Sequence, residues 1–228
     1  MKYFYVYIFM LCCFILMVSY YNTYSSTSNT IEPFNSSKQH IVLLGDSILK
    51  NNAYTSNGKS VEDLLKERTT NNIHCFAVDD SKINHVYNQI SNLPTDLNTS
   101  HTTVFLSVGG NNILSHYLKD HGNNRDYSIL SNFLTSYEHL VQSIRMKLNK
   151  AKIILLDVYY PDNHKYKKYH NVIQEWNLKI YDFASNPKNN IDGILRISSI
   201  MTKPGDFSEE IEPSNSGGDK LVNAILNY

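Results

Sequence analysis

The sequence predicts an α/β fold, a three-layer α/β/α sandwich on a five-stranded parallel sheet. Five short apolar runs rich in β-branched residues, HIVLLG, IHCFAV, TTVFLSV, KIILLDV and GILRI, recur along the chain. Each has the length of a strand. Between them lie segments whose apolar residues repeat with the 3.6-residue spacing of a helix. Strands that alternate with helices form parallel sheets covered on both faces.

Taken in order, His40–Gly45 is a buried strand by its length and branching, and it ends at a glycine. Val61–Arg68 follows as a helix. The second strand, Ile73–Val78, precedes a helical pattern over Ile83–Leu93, and the third, Thr102–Val108, precedes a long one from Tyr127 to Leu148. Lys152–Val158 leads to a helix over Tyr166–Ala184. Gly193–Ile197 leads through a loop to a last helix over Asp219–Leu226. The stretches Ser115–Asn124 and Pro161–Lys168 read as loops.

The chain of 228 residues carries a further segment in front of this domain. Tyr3–Tyr21 is uncharged and apolar, close to the ~20 residues that cross a bilayer as a helix. It is longer than the ~7–15-residue core of a signal peptide and lacks a small-residue cleavage site, which favours a retained transmembrane anchor over a cleaved signal. Lys2 on the short amino-terminal side places Met1 in the cytoplasm. Residues 1–21 are therefore expected to be the anchor or signal, residues 22–38 a flexible polar stalk rich in Ser, Thr and Asn, and residues 39–228 the folded domain. The expected localisation is a single-pass membrane protein with its domain on the exoplasmic or lumenal side, or a secreted one if the segment is cleaved.

Composition excludes several classes. Basic and acidic residues balance at 21 each, and no basic run with interleaved aromatics is present, so a nucleic-acid partner is not expected. Cys12 and Cys13 lie in the apolar run and only Cys75 lies in the domain, so no intrachain disulfide can brace it. Sequons at Asn35 and Asn98 would permit glycosylation in a lumenal chain. No cysteine–histidine cluster, paired-acid motif or glycine-rich nucleotide loop occurs, so neither metal nor cofactor is expected. The sequence sets no oligomeric state.

In parallel sheets ligands bind beyond the carboxyl ends of the strands. The residues there are GDSIL (Gly45–Leu49) after the first strand, VGGNN (Val108–Asn112) after the third and EEIEPSNSGG (Glu209–Gly218) before the last helix. Over residues 40–228 these blocks resemble those of the SGNH/GDSL hydrolases, which cleave esters of lipids, carbohydrates and other acyl groups on a flavodoxin-like sheet. The resemblance implies Ser47 as nucleophile, with Gly45 and Asp46 completing the first block. It also implies Asn111 as oxyanion donor, with Gly109 and Asn112 in supporting places.

Two blocks depart from the pattern. Asp80 stands where the family has a glycine whose N–H joins the Ser47 N–H and Asn111 in the oxyanion hole. Glu209 and Glu212 occupy the slots of the catalytic aspartate and histidine, in EEIEP. A serine hydroxyl needs a base, and a glutamate, ordinarily at ~4.3, serves only if burial or a like charge raises its pKa. Glu209 is the expected source of that charge. His116, five residues after Asn111, is the alternative base; His121, His164 and His170 are expected in surface or structural roles.

Two function classes follow. One is a membrane-anchored ester hydrolase acting on a small-molecule, lipid or glycan ester, with Ser47, Glu212 and Glu209 in the catalytic places. The other is a catalytically inactive binding or surface module on the same fold.

Overall fold

A computed structural model describes residues 38–117 and 128–228. Lys38–Tyr228 forms one compact unit. The expected membrane segment Tyr3–Tyr21, the stalk up to Ser37 and His121 lie outside the described residues. No described helix is long and apolar enough to cross a membrane.

Five parallel strands, β1 (His40–Gly45), β2 (Asn72–Cys75), β3 (Thr102–Ser107), β4 (Lys152–Leu156) and β5 (Gly193–Leu195), pair in the order β2-β1-β3-β4-β5. Period-2 alternation sends Val42 and Leu44 of β1 and Val104 and Leu106 of β3 into one apolar layer. Ile41, Leu43 and Phe105 enter the layer on the opposite face. Both faces are therefore covered, as the uninterrupted apolar runs require.

Among the described residues six α-helices cover them: α1 (Val61–Arg68), α2 (Val86–Ser91), α3 (Gly110–Tyr117), α4 (Ser128–Lys147), α5 (His170–Ser185) and α6 (Asn215–Leu226). Residues of α2 to α5 pack in the first layer, around Trp176, Tyr137 and Ile144. Residues of α1 and α6 pack in the second, around Leu65 and Leu221. The start of α1 is fixed by a capping box, with Ser60 Oγ accepting from Asp63 N–H and Asp63 Oδ2 accepting from Ser60 N–H.

Three local expectations are corrected. Gly110–Tyr117 is helical where a loop was expected, because Ile113 and Tyr117, four residues apart, bury one stripe beneath a polar surface. The last helix starts at Asn215, capped by Ser214, whose hydroxyl accepts from Gly217 N–H. The segment before it folds into an antiparallel hairpin, β6 (Phe207–Ser208) with β7 (Glu212–Pro213). Gly217 lies where α6 crosses this segment. A Cβ there would stand 2.2 Å from the Asp206 carbonyl oxygen, which explains a glycine inside a helix.

Candidate active site

The chain order reverses between β1 and β3: β2 lies to one side of β1, and β3, β4 and β5 lie to the other. Beyond the carboxyl ends of the strands at this switch point is an open-mouthed cleft with a cavity volume of about 50 Å³. Asp46, Ser47, Asn111, Tyr159 and Glu212 line it together with apolar side chains that include Ile48, Ile113, Val158 and Ile173. Ser47, Asn111 and Glu212, more than 160 residues apart at the extremes of the sequence, thus share one pocket.

Ser47 is placed by the turn that closes β1. Asp46 N–H donates to the Ser107 carbonyl at 3.1 Å, and Leu49 and Lys50 N–H both donate back to the Asp46 carbonyl. The Asp46 side chain completes the brace, accepting from Ser107 Oγ at 3.0 Å and Ile48 N–H at 3.2 Å. Gly45 is held from the other side by Gln89, whose amide accepts from Gly45 N–H and donates to the Gly45 carbonyl, both at 2.8 Å. Gln89 also reaches Ser81 Oγ at 3.2 Å, and the Ser81 carbonyl accepts from Asn111 Nδ2 at 3.2 Å. One buried amide thereby links the serine turn to Asn111.

Glu212 comes from β7. Burial pushes its carboxyl above the ordinary carboxylate range, the Ser47 hydroxyl works against that rise, and the charges of Asp79 and Asp80 add to it. Its Oε2 is buried without a hydrogen-bond partner. An acceptor in that state, in the same pocket as a hydroxyl, can take a proton. Tyr159, whose hydroxyl donates to the Ile211 carbonyl and whose ring packs 5.2 Å from Phe207, props the hairpin from below.

Other residues are placed differently from the sequence expectation. Glu209 is exposed at the tip of the β6–β7 hairpin with φ 46°, outside the pocket lining. A three-residue connection forces left-handed backbone there and turns the side chain to solvent. The like charge that acts on Glu212 comes from Asp79 and Asp80 instead.

Asp80 itself has φ 56°, the left-handed backbone that favours glycine. Its N–H, expected to face an oxyanion, donates to Asp79 Oδ1 at 2.8 Å. Of the residues expected to form an oxyanion hole, Ser47 and Asn111 line the pocket, together with Gly110 at the amino-terminal end of α3. Asn112 turns away, its Oδ1 accepting from Ile83 N–H at 3.0 Å. Gly109 precedes α3 with φ 122°.

His116 lies on α3 with its ring edge-on to Tyr117 and Phe133, outside the pocket lining. His164 is exposed, and His170 Nε2 engages the Pro161 carbonyl at 2.8 Å. No histidine lines the pocket among the described residues. Among the described residues no group of three or more His, Cys, Asp or Glu side chains could hold a metal ion. Tyr159, Gln89 and Asp79 were not foreseen. Tyr159 could have been, because it follows β4 as Ser47 follows β1; Gln89 sits inside a helical pattern and gives no signal.

Asp46 carries a testable consequence. Burial pushes its carboxyl up to about 7, outweighing the hydrogen bonds from Ser107 and Ile48, and the Glu212 charge adds to the rise. Between pH ~4 and ~7 the folded chain therefore keeps a proton that the unfolded chain has lost. The stability this group contributes is complete below pH ~4, falls as pH rises to about 7 and is constant above. Asp46→Asn keeps an acceptor for Ser107 and Ile48 and removes the titration. Urea unfolding should show the variant gaining on the parent by a few kcal/mol between pH 4 and 7. A difference that stays flat with pH would contradict the buried proton.

No family model matches the chain, and no curated protein is detectably similar in sequence. Solved structures are similar in fold. A member of the lipolytic protein G-D-S-L family from Veillonella parvula DSM 2008 is 18% identical, with 83% of this chain and 97% of that one covered at a TM-score of 0.60. The family 3 carbohydrate esterase of Clostridium thermocellum is 19% identical, with 84% and 94% covered and a TM-score of 0.60. Phospholipase A1 from Streptomyces albidoflavus NA297 is 14% identical, with 83% and 98% covered and a TM-score of 0.60.

Proposed function

We propose that this chain, whose fold is that of the SGNH/GDSL hydrolases, is a serine ester hydrolase in which Glu212 replaces the histidine base. The observation that carries the reading is the pairing, in one apolar-walled pocket, of Ser47 with a buried glutamate oxygen that has no partner. Glu212 accepts the Ser47 proton as Oγ attacks the ester carbonyl. The Ser47 N–H and Asn111 face the oxygen that gains negative charge. The protonated glutamic acid then gives its proton to the leaving alcohol, and water, deprotonated by the same carboxylate, releases the acid and restores the serine.

The apolar lining by Ile48, Ile113, Val158 and Ile173 suits the acyl part of a lipid or an acylated carbohydrate. Solved structures of this fold include a phospholipase A1 and a carbohydrate esterase, which supports both substrate classes. With Tyr3–Tyr21 as anchor, the enzyme works tethered to a membrane on its exoplasmic side. One observation favours the second reading, a non-catalytic module: the Asp80 N–H is already bonded to Asp79, which removes one of three expected oxyanion donors.

The experiment is a carbonate-washed membrane preparation of the full-length tagged chain assayed on p-nitrophenyl esters of increasing acyl length. Activity should sediment with the membranes and vanish in Ser47→Ala. Release of the chain into the wash would remove the anchor, and activity that persists in Ser47→Ala would remove the nucleophile.

A further inference from the structure

Glu212 lies on a two-residue strand, and its own hairpin gives that strand little support. What holds it against the Ser47 turn is the segment that follows the turn. Asn51, four residues after Ser47, is fully buried. Its Nδ2 donates to the Pro213 carbonyl at 3.1 Å, and its Oδ1 accepts from Val61 N–H, the first residue of α1, at 2.9 Å. The same segment makes two more attachments near the surface. Ser208 Oγ donates to the Tyr54 carbonyl at 2.7 Å, and Ser56 donates through N–H and Oγ to Asn215 Oδ1 at 2.9 and 3.1 Å.

Of these three attachments, the Asn51 bond falls on Pro213, the residue next to Glu212. Both polar ends of its side chain are used, on two different elements, so the amide cannot rotate without leaving a buried backbone group unpaired. Asn51 also packs beside Gly218 at the start of α6, where an added Cβ would lie 3.4 Å from Nδ2.

We infer that Asn51 is a positioning residue for the proposed hydrolysis: its amide ties β7 to the Ser47 turn and to α1, and so fixes the distance from the Glu212 carboxylate to the Ser47 hydroxyl. This rests on the hydrolase reading for its catalytic consequence, but the clamp itself does not. The groups that face Glu212 come from three turns: Asp46 and Ser47 after β1, Asp79 and Asp80 after β2, and Tyr159 after β4, with Tyr54 beyond Asn51 in the same electrostatic neighbourhood. With the clamp cut, β7 moves outward, Glu212 gains water, and the burial that raises its pKa is relieved.

The test is the Glu212 carboxyl titration, followed by carbon-13 NMR in the domain, together with ester kinetics. In Asn51→Ala the Glu212 pKa should fall toward the ordinary ~4.3. The acid limb of the pH–rate profile should follow it, and kcat should drop about tenfold to hundredfold with KM little changed, as for a displaced catalytic group. Asn51→Leu, of similar volume and unable to hydrogen-bond, should behave alike and serves if the alanine variant does not fold. Asn215→Ala, which cuts the surface attachment at Ser56, should leave the titration unchanged. An unshifted Glu212 titration in a folded Asn51→Ala or Asn51→Leu chain overturns the clamp. A shifted titration in a chain whose parent cleaves no ester supports the clamp and sinks only the hydrolase reading.

Discussion

Glu212→Gln will lower kcat for ester hydrolysis by about a thousandfold while leaving the unfolding transition in place, because a positioned general base contributes roughly 10²–10⁴ in rate. Glutamine keeps the shape of the side chain and loses the basic oxygen that the structure leaves buried and unpartnered. The pH dependence gives the sign. Burial raises the Glu212 pKa, so the ionised base is lost as pH falls through a value above the ordinary carboxylate range, and the activity of the parent should fall with it. The residual activity of Glu212→Gln should lack that acid limb. Glu212→His, with a base near ~6.5, should recover activity above the glutamine variant and move the limb upward. Steady-state kinetics from pH 4 to 9 on the three chains checks all of this. Equal rates for parent and Glu212→Gln would return the site to the non-catalytic reading.

Gly45→Ala should yield little or no folded protein. Gly45 has φ 131°, which L residues rarely adopt, and a Cβ there would stand 1.7 Å from the Ser107 carbonyl oxygen, inside the hydrogen-bonded approach of β1 to β3. Neither partner can yield, because the same Ser107 carbonyl accepts from Asp46 N–H. The strain falls on the central strand pair, so it competes directly with a total stability of ~5–15 kcal/mol. Soluble yield and thermal unfolding measure it. A soluble variant melting within a few degrees of the parent would show that the turn relaxes, and the rigidity assigned to the serine turn would be lost.

Strand existence was legible in the sequence because period and length suffice for a run such as HIVLLG. Strand ends were less so. β2 stops at Cys75, whereas the apolar run continues to Val78. Bonding to β1 nevertheless runs on along the apolar run, with Phe76 and Val78 N–H donating to the Leu43 and Gly45 carbonyls. α3 was missed because six of its eight residues are polar, glycine or partly exposed, and only Ile113 and Tyr117 mark its buried stripe.

The site divides along the same line. Ser47, Asn111 and Glu212 could be placed on one rim because each adjoins the end of a strand. Glu209 was misplaced because motif spacing says nothing about which way a hairpin tip points. Left-handed backbone at Glu209 and Glu210 takes both to the surface, where Glu210 pairs with Lys165 at 2.8 Å. Asn51 and Gln89 were invisible for a different reason. Their roles are set by carbonyls and N–H groups of residues far along the chain, and a backbone partner leaves no trace in the sequence.

The central claim is that Ser47 is a nucleophile activated in its pocket, and a fluorophosphonate probe tests it most directly. The probe forms a covalent bond only to an activated serine, so the parent chain should be labelled on the peptide that carries Ser47. Ser47→Ala should take up no label, and Glu212→Gln should be labelled far more slowly. A parent chain that remains unlabelled at millimolar probe, with its fold intact, would contradict the account.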